Sequence, residues 1–92
     1  MPMQVTTTGA FLRGLKKLSK SDATDTIAAL EFFVADHRAK ALNFEPVKSR
    51  AGYFTIRSNN KVRVLLRQTD PDVFDVVAVG NHDYVYVSYF RK

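Results

Sequence analysis

Residues 53–67 place the strongest constraint on the fold of this chain. They read YFTIRSNNKVRVLLR, so apolar side chains alternate with polar or basic ones on both sides of a polar centre. A period of two is typical of a β-strand that turns one face towards a core. The segment therefore predicts a β-hairpin with arms at residues 53–57 and 62–68.

The length of the hairpin loop decides which side chains share a face. A two-residue turn at residues 59–60 would place Ile56 opposite Arg63, and each face would mix arginine with core residues. A three-residue loop at residues 59–61 shifts the pairing by one and places Ile56 opposite Val64. Asparagine readily adopts the left-handed conformation that such a loop needs. The hydrophobic pattern therefore favours the three-residue loop.

This register gives the hairpin one apolar and one basic face. The apolar face, predicted to pack on helices, comprises Phe54, Ile56, Val64 and Leu66. The other face comprises Tyr53, Thr55, Arg57, Arg63, Leu65 and Arg67. Neighbouring like charges are unfavourable unless an anion lies between them, and the planar guanidinium group binds phosphate well. The basic face is therefore a candidate phosphate-binding surface; alternatively, its arginines form ion pairs with Glu45, Asp75 or Asp83.

The rest of the chain predicts an α+β domain. A short strand is expected at residues 3–6, followed by amphipathic helices at 9–20, capped by Thr7 or Thr8, and at 23–38, capped at Ser21-Asp22. VFDVVAV at 73–79 is typical of a strand buried on both faces. Residues 84–90 alternate enough to form another strand or an extended tail. The order β-α-α-β-β-β predicts a two-helix antiparallel hairpin packed on a mainly antiparallel twisted sheet.

Composition narrows the class of protein. Ninety-two residues with 46% hydrophobic and 25% charged side chains fit one globular domain spanning residues 1–92. No cysteine is present, and the two histidines and the carboxylates show no metal-ligand spacing. No apolar run is long enough to span a membrane, so a cytoplasmic location is expected. The net charge of +5 favours a polyanion or an acidic protein as partner.

Several residues have the chemistry needed to cut RNA through its own 2′-hydroxyl. That reaction needs a base, cations that stabilise the pentavalent phosphate, and an acid that protonates the leaving oxygen. Histidine is the side chain that ordinarily titrates near neutral pH, and tyrosine can stack on a base or donate its hydroxyl. The candidates are Glu45 as base, Lys48, Arg57 and Arg63 as cations, His82 as acid, and Tyr84 or Tyr86 as the aromatic group.

The same residues carry a resemblance to a known family. Leu-Asn-Phe-Glu-Pro-Val-Lys at 42–48, Gly-Tyr-Phe-Thr-Ile-Arg at 52–57, Val-Arg-Val at 62–64 and Val-Gly-Asn-His-Asp at 79–83 resemble the RelE/ParE superfamily of bacterial type II toxins. The similarity extends over the whole chain. It is closest to the YoeB-like ribonuclease branch, whose site combines a Glu-Pro-x-Lys segment, two sheet arginines and a C-terminal histidine and tyrosine.

The resemblance implies an endoribonuclease that cleaves ribosome-bound messenger RNA without a cofactor. It implies Glu45 as base and His82 as a proton-transfer group, with phosphate ligands Lys48, Arg57 and Arg63. Asp83 stands where the branch has tyrosine, and a His-Asp-x-x-Tyr pattern favours Tyr86 as the closing residue. Further RNA contacts are expected from Lys48, Tyr53, Arg67 and Tyr84.

Two further expectations follow from the resemblance. A cognate antitoxin is expected to bind this basic domain in a hetero-oligomer and to exclude RNA. The ParE branch, which shares the fold but poisons DNA gyrase without cutting RNA, is the alternative to a ribonuclease.

Overall fold

The structure, a computed structural model, describes residues 3–91 and contains one mixed five-stranded sheet. Its elements in chain order are β1 (Gln4–Thr7), α1 (Gly9–Lys16), α2 (Lys20–Ala35), a 3₁₀ turn (Lys40–Leu42), β2 (Glu45–Pro46), β3 (Tyr53–Arg57), β4 (Arg63–Asp70), β5 (Val73–Gly80), α3 (His82–Tyr86) and a second 3₁₀ turn (Ser88–Phe90). The strand order is β1-β5-β4-β3-β2, and β1 pairs with β5 in parallel whereas the other pairs are antiparallel. The α+β prediction is confirmed. Within the described residues, no helix has the length and apolar character that a membrane span requires.

Both predicted helices form, but the end of α1 and both ends of α2 differ from the prediction. Thr8 caps α1, because its Oγ1 accepts a hydrogen bond from the Phe11 N–H and also donates one to the Val76 carbonyl of β5. The second cap is Ser19, whose Oγ accepts from the Asp22 N–H at 3.1 Å, rather than Ser21-Asp22. Capping two to three residues earlier satisfies an orphan N–H group, that of Asp22, at the start of α2. As a result α1 ends at Lys16 instead of continuing to residue 20, and α2 ends at Ala35 instead of 38.

The hairpin register is the one that the hydrophobic pattern favours. Arg57 pairs with Arg63, Ile56 with Val64, and the remaining partners across β3 and β4 follow in step. The loop reaches this register by a different route from the one expected. Among the described residues only Asn43 and Gly52 have positive φ, so the loop asparagines are not left-handed.

Asn59 shapes the loop through its side chain. Its Oδ1 accepts hydrogen bonds from the N–H groups of Lys61 and Val62 at 2.9 and 3.0 Å, as in a turn closed by a side chain. Its Nδ2 donates to Asp22 Oδ1 and Asp25 Oδ2, both at 2.9 Å, on α2. One amide group therefore fixes the loop and ties it to the helix.

The sheet buries apolar side chains on both faces. On the first face, α1 and α2 cover a core that includes Phe11, Phe33, Ile56, Val64, Leu66, Phe74 and Val76. On the second face, Val47, Leu65, Val77, Ala78 and Val85 form a smaller core flanked by Tyr53, Tyr86, Tyr89 and Phe90. The expectation that β5 is buried on both faces is confirmed.

The expectation of a strand or extended tail at residues 84–90 is wrong. The segment forms α3 and a 3₁₀ turn, and Asn81 caps α3 by accepting a hydrogen bond from the Tyr84 N–H at 2.8 Å. Helical geometry turns Val85 onto the sheet, where its side chain is completely buried. The second face of the sheet is therefore partly covered rather than open, and Thr55 and Leu65 lie beneath the cover.

Replacing Asn59 with alanine should lower the free energy of unfolding by about 2 kcal/mol, because two loop N–H groups lose their acceptor and Asp22 and Asp25 each lose one hydrogen bond. Urea denaturation followed by circular dichroism measures this change. Asn60→Ala, at the exposed neighbouring position, is the matched control and should stay within about 0.5 kcal/mol of the unsubstituted protein. Equal losses for both variants would contradict the role given to Asn59.

Candidate functional site

A pocket of about 460 Å³ lies where β2 and the following loop approach α3. It is lined by Glu45, Pro46, Val47, Lys48, Ser49, His82 and Tyr86. Four of the residues singled out in the sequence, namely Glu45, Lys48, His82 and Tyr86, therefore meet in one place. They come from two segments separated by more than thirty positions in the chain. The pocket offers a carboxylate, an ammonium group, an imidazole and a phenol.

Tyr86 is held by a buried hydroxyl beneath it. Its phenolic oxygen lies 2.7 Å from Thr55 Oγ1, and the Thr55 side chain belongs to a residue that is only 1% exposed. Glu45 on β2 is the cross-strand partner of Thr55 on β3, and the Tyr86 hydroxyl donates to Glu45 Oε1 at 3.5 Å. A chain of polar groups thus runs from the buried threonine through the phenol to the carboxylate. It fixes the position of Tyr86 and turns its hydroxyl towards Glu45.

His82 stands beside Tyr86 on the same side of α3. The two residues are four positions apart, a spacing that brings side chains together on a helix, and their ring centroids are 4.3 Å apart. The side chain of His82 is 68% exposed, and its Nδ1 lies 3.7 Å from Asp83 Oδ1. A contact between two such exposed groups contributes little. The imidazole is therefore available to a bound molecule.

The arginines of the hairpin do not line this pocket. Arg57 and Arg63 are partners across β3 and β4, and Arg63 also pairs with Gly80, the last residue before the Asn81 cap of α3. Arg63 Nη1 donates to the carbonyls of Asn59 at 2.7 Å and Val62 at 3.2 Å.

Arg57 instead lines a separate depression beside α2, together with Asp25 and Phe32. Within residues 3–91 neither Arg57 nor Arg63 forms an ion pair. The two guanidinium groups therefore have no carboxylate partner among the described residues, and their backbones lie at the end of the sheet where the chain enters α3.

The other residues with predicted RNA contacts lie outside the pocket. Arg67 donates to Asp75 Oδ2 at 2.8 Å, and this hydrogen bond raises the pKa of Arg67. For Arg67, therefore, the alternative holds that an arginine of the basic face forms an ion pair with a carboxylate. Tyr53 packs edge-on against Phe90, with ring centroids 5.1 Å apart, in the aromatic border of the second core. Tyr84 lies on a different side of α3 and lines another pocket.

Comparison with solved structures places this architecture among known folds. A chain of the Escherichia coli DinJ–YafQ toxin–antitoxin complex superposes with a TM-score of 0.73, at 13% identity, over 94% of this chain and 99% of that one. Escherichia coli RelE, in a substituted form solved in the free state, gives 0.71 at 16% identity over 97% and 93%. A YoeB/ParE toxin from Agrobacterium tumefaciens gives 0.68 at 16% identity over 87% and 99%. This chain has the RelE-like toxin fold.

The likeness is visible in structure alone. No protein-family model matches the sequence, and no curated protein matches it either. At identities this low the comparison establishes the RelE-like fold and leaves the roles of individual side chains to the geometry of the pocket.

Two features beside the pocket do not follow from the sequence pattern: the contact between Thr55 and Tyr86, and the helix α3 that Asn81 caps. Thr55 was placed on the correct face, but its partner Tyr86 lies on a helix that the alternating pattern of residues 84–90 does not predict. Asn81 has the side chain of a helix cap, and this signal would have indicated α3. Among residues 3–91, no group of three or more histidine, aspartate or glutamate side chains is arranged to hold a metal ion.

The hydrogen bond between Thr55 and Tyr86 can be measured with a double-mutant cycle. Tyr86→Phe should cost about 1–2 kcal/mol of unfolding free energy, because the buried Thr55 hydroxyl loses its partner. Adding Thr55→Val should cost little more, because both polar partners are then absent. We expect a coupling energy of about 1 kcal/mol from urea denaturation of the four proteins.

The control cycle pairs Thr55→Val with Tyr84→Phe, because Tyr84 lies on a different side of α3 and lines the other pocket. These two changes should add to within about 0.5 kcal/mol. Additivity in the Tyr86 cycle as well would show that the hydrogen bond does not stabilise the protein.

Proposed function

We propose that this protein is the toxin of a type II toxin–antitoxin system and acts as an endoribonuclease on messenger RNA. The observation that carries the proposal is the meeting of Glu45, Lys48, His82 and Tyr86 in one pocket of a RelE-like fold. These groups supply the base, the cation and the acid that RNA cleavage needs. The resemblance read from the sequence assigns the same residues.

In the proposed reaction, Glu45 removes the proton of a ribose 2′-hydroxyl. The 2′-oxygen then attacks the adjacent phosphorus and forms a pentavalent phosphorane. His82, protonated, donates its proton to the departing 5′-oxygen, and the bond between phosphorus and that oxygen breaks. The products are a strand that ends in a 2′,3′-cyclic phosphate and a strand that begins with a 5′-hydroxyl. No metal ion or cofactor takes part in this scheme.

Tyr86 positions the reacting groups, and the cations stabilise the negative charge that develops on the phosphate. Tyr86 is held by Thr55 beside both Glu45 and His82, so its ring can support a base and its hydroxyl can orient the carboxylate. Lys48 lines the pocket and attracts the phosphate. Arg57 and Arg63, which have no carboxylate partner among the described residues, turn towards the phosphate when the substrate binds.

The partner and the setting are part of the same proposal. YafQ, whose fold this chain shares, was solved in complex with the antitoxin DinJ. We propose that this protein likewise binds a cognate antitoxin, for which its net charge of +5 favours an acidic segment. We further propose that it acts in the cytoplasm on messenger RNA held by the ribosome.

Induced expression of single variants tests the assignment in cells. Glu45→Gln and His82→Gln should each reduce messenger RNA cleavage by about 100-fold or more, because each removes one proton-transfer group. Primer extension on a reporter transcript measures the cuts, and growth curves measure arrest. His37→Gln is the matched control, because His37 packs against Phe33 and Phe44 away from the pocket, and it should cut normally.

Two results would contradict this proposal. One is equal cleavage and arrest by the unsubstituted protein, Glu45→Gln and His82→Gln. The other is growth arrest with intact messenger RNA and double-strand DNA breaks, which is the outcome expected of a ParE-like gyrase poison.

Cleavage by the purified protein should be unaffected by EDTA, since the proposed proton transfers use side chains alone. The measurement is the rate of cutting of a radiolabelled messenger RNA in magnesium and in EDTA, without ribosomes, because EDTA also removes the magnesium that ribosomes need. The 3′ ends should carry a cyclic phosphate, which resists phosphatase until acid opens it. Activity that disappears with EDTA and returns with magnesium would refute metal-independent cleavage.

A further inference from the structure

A second pocket lies on the other side of α3 and is not used by the proposed reaction. Its volume is about 470 Å³, within the range of small-molecule sites. It opens between α1 and the junction of β5 with α3, and Arg13, Lys17, Asn81 and Tyr84 contribute polar or aromatic groups to it. We call it the α1 pocket.

Two glycines give the α1 pocket its shape. A Cβ atom added to Gly80 would come within 2.8 Å of Tyr84 Cδ2, so the tyrosine ring lies directly against the backbone of β5. A Cβ atom added to Gly14 would lie 3.1 Å from Val79 Cγ1, so α1 also approaches that strand closely. The ring of Tyr84 is thus supported from behind, although the residue remains 41% exposed. It forms a flat aromatic surface inside a cleft.

The charge in this pocket is of one sign. Arg13 and Lys17 are four residues apart on consecutive turns of α1 and its C-cap, and like charges at this spacing repel each other. No acidic residue lines the pocket. Within the described part of the chain, neither Arg13 nor Lys17 forms an ion pair. The site therefore has the charge to hold an anion.

We propose that the α1 pocket binds one nucleotide of the RNA strand that is being cut, at a position away from the scissile bond. The base stacks on Tyr84, and the adjoining phosphates contact Arg13 and Lys17. An aromatic platform beside cations is the combination that binds single-stranded nucleic acid without reading its sequence. This inference rests on the proposed ribonuclease function.

Helix α3 connects the two pockets. It carries His82 and Tyr86 into the first pocket and Tyr84 into the α1 pocket, and all three lie within five consecutive residues. A strand of RNA that crosses α3 reaches both pockets. The α1 pocket therefore adds affinity for a longer strand and leaves the chemistry at the scissile phosphate unchanged.

An acidic polypeptide would also be attracted by Arg13 and Lys17, but it would not need an exposed, supported ring. Stacking on Tyr84 thus distinguishes RNA from a carboxylate-rich partner. Removing a base–aromatic stack typically weakens binding by about ten-fold or more.

The test measures binding of 2′-O-methyl RNA, which cannot be cleaved through the 2′-oxygen, to the full-length protein. A short oligonucleotide that fills only the first pocket is compared with a longer one. Tyr84→Leu keeps an apolar group over Gly80 and should weaken the longer RNA about ten-fold, with no effect on the shorter one. Tyr84→Phe keeps the ring and should bind both normally. Circular dichroism confirms that each variant is folded.

The charges are tested separately by salt dependence. Arg13→Gln with Lys17→Gln removes two phosphate contacts, so the slope of log affinity against log salt should fall by about 1.4 for the longer RNA. Lys16→Gln with Lys20→Gln makes the same change in net charge on exposed residues that do not line the α1 pocket. This control pair should alter the slope much less.

The outcomes separate the inference from the proposed function. If the unsubstituted protein cuts RNA but Tyr84→Leu binds the longer strand normally, the inference is wrong and the ribonuclease proposal stands. Poly-glutamate is added as a competitor of the longer RNA. If it displaces that RNA as well as unlabelled RNA does, from the unsubstituted protein and from Tyr84→Leu alike, the pocket does not hold the substrate strand. A protein that neither binds nor cuts RNA overturns both.

Discussion

The structure depends on one strand, β5, that carries apolar side chains on both of its faces. A strand of this kind is stable only when both faces are covered. Helices α1 and α2 cover one face, and Thr8 joins α1 to β5 through the Val76 carbonyl. The C-terminal segment must cover the other, and Val85 makes that contact. The two pockets described above lie on either side of the helix that provides this second cover.

The hairpin shows how far a hydrophobic pattern alone determines geometry. The alternation in residues 53–67 excludes the register that mixes arginine with core residues, and the observed pairing of Arg57 with Arg63 follows from that exclusion. The pattern does not reveal how the loop closes. Closure depends on the side chain of Asn59, whose Oδ1 accepts from the N–H groups of Lys61 and Val62. Its Nδ2 ties the loop to α2, which is a contact between segments far apart in sequence.

The difference between local sequence patterns and contacts between distant segments also explains which parts of the site could be predicted. Glu45, Lys48 and His82 have recognisable chemistry, and all three line one pocket. The helix at residues 82–86 could not be read from periodicity, because valines and tyrosines alternate there as they would in a strand. The helical form is selected by the apolar second face of the sheet, which a local pattern does not contain. For that reason the contact between Thr55 and Tyr86 was not foreseen, nor was the separation of Tyr84 from Tyr86.

The shortness of α3 has a consequence for the dynamics of the protein. The helix has five residues, one buried side chain and one capping asparagine, and helices this short have little stability of their own. Its amide protons should therefore exchange with solvent through local opening, at a free energy well below that of the β4–β5 ladder. His82 and Tyr86 belong to this cooperative unit of low stability, whereas Glu45 and Thr55 belong to the sheet. We therefore expect the pocket to lose His82 and Tyr86 whenever α3 opens, while Glu45 and Thr55 stay in place.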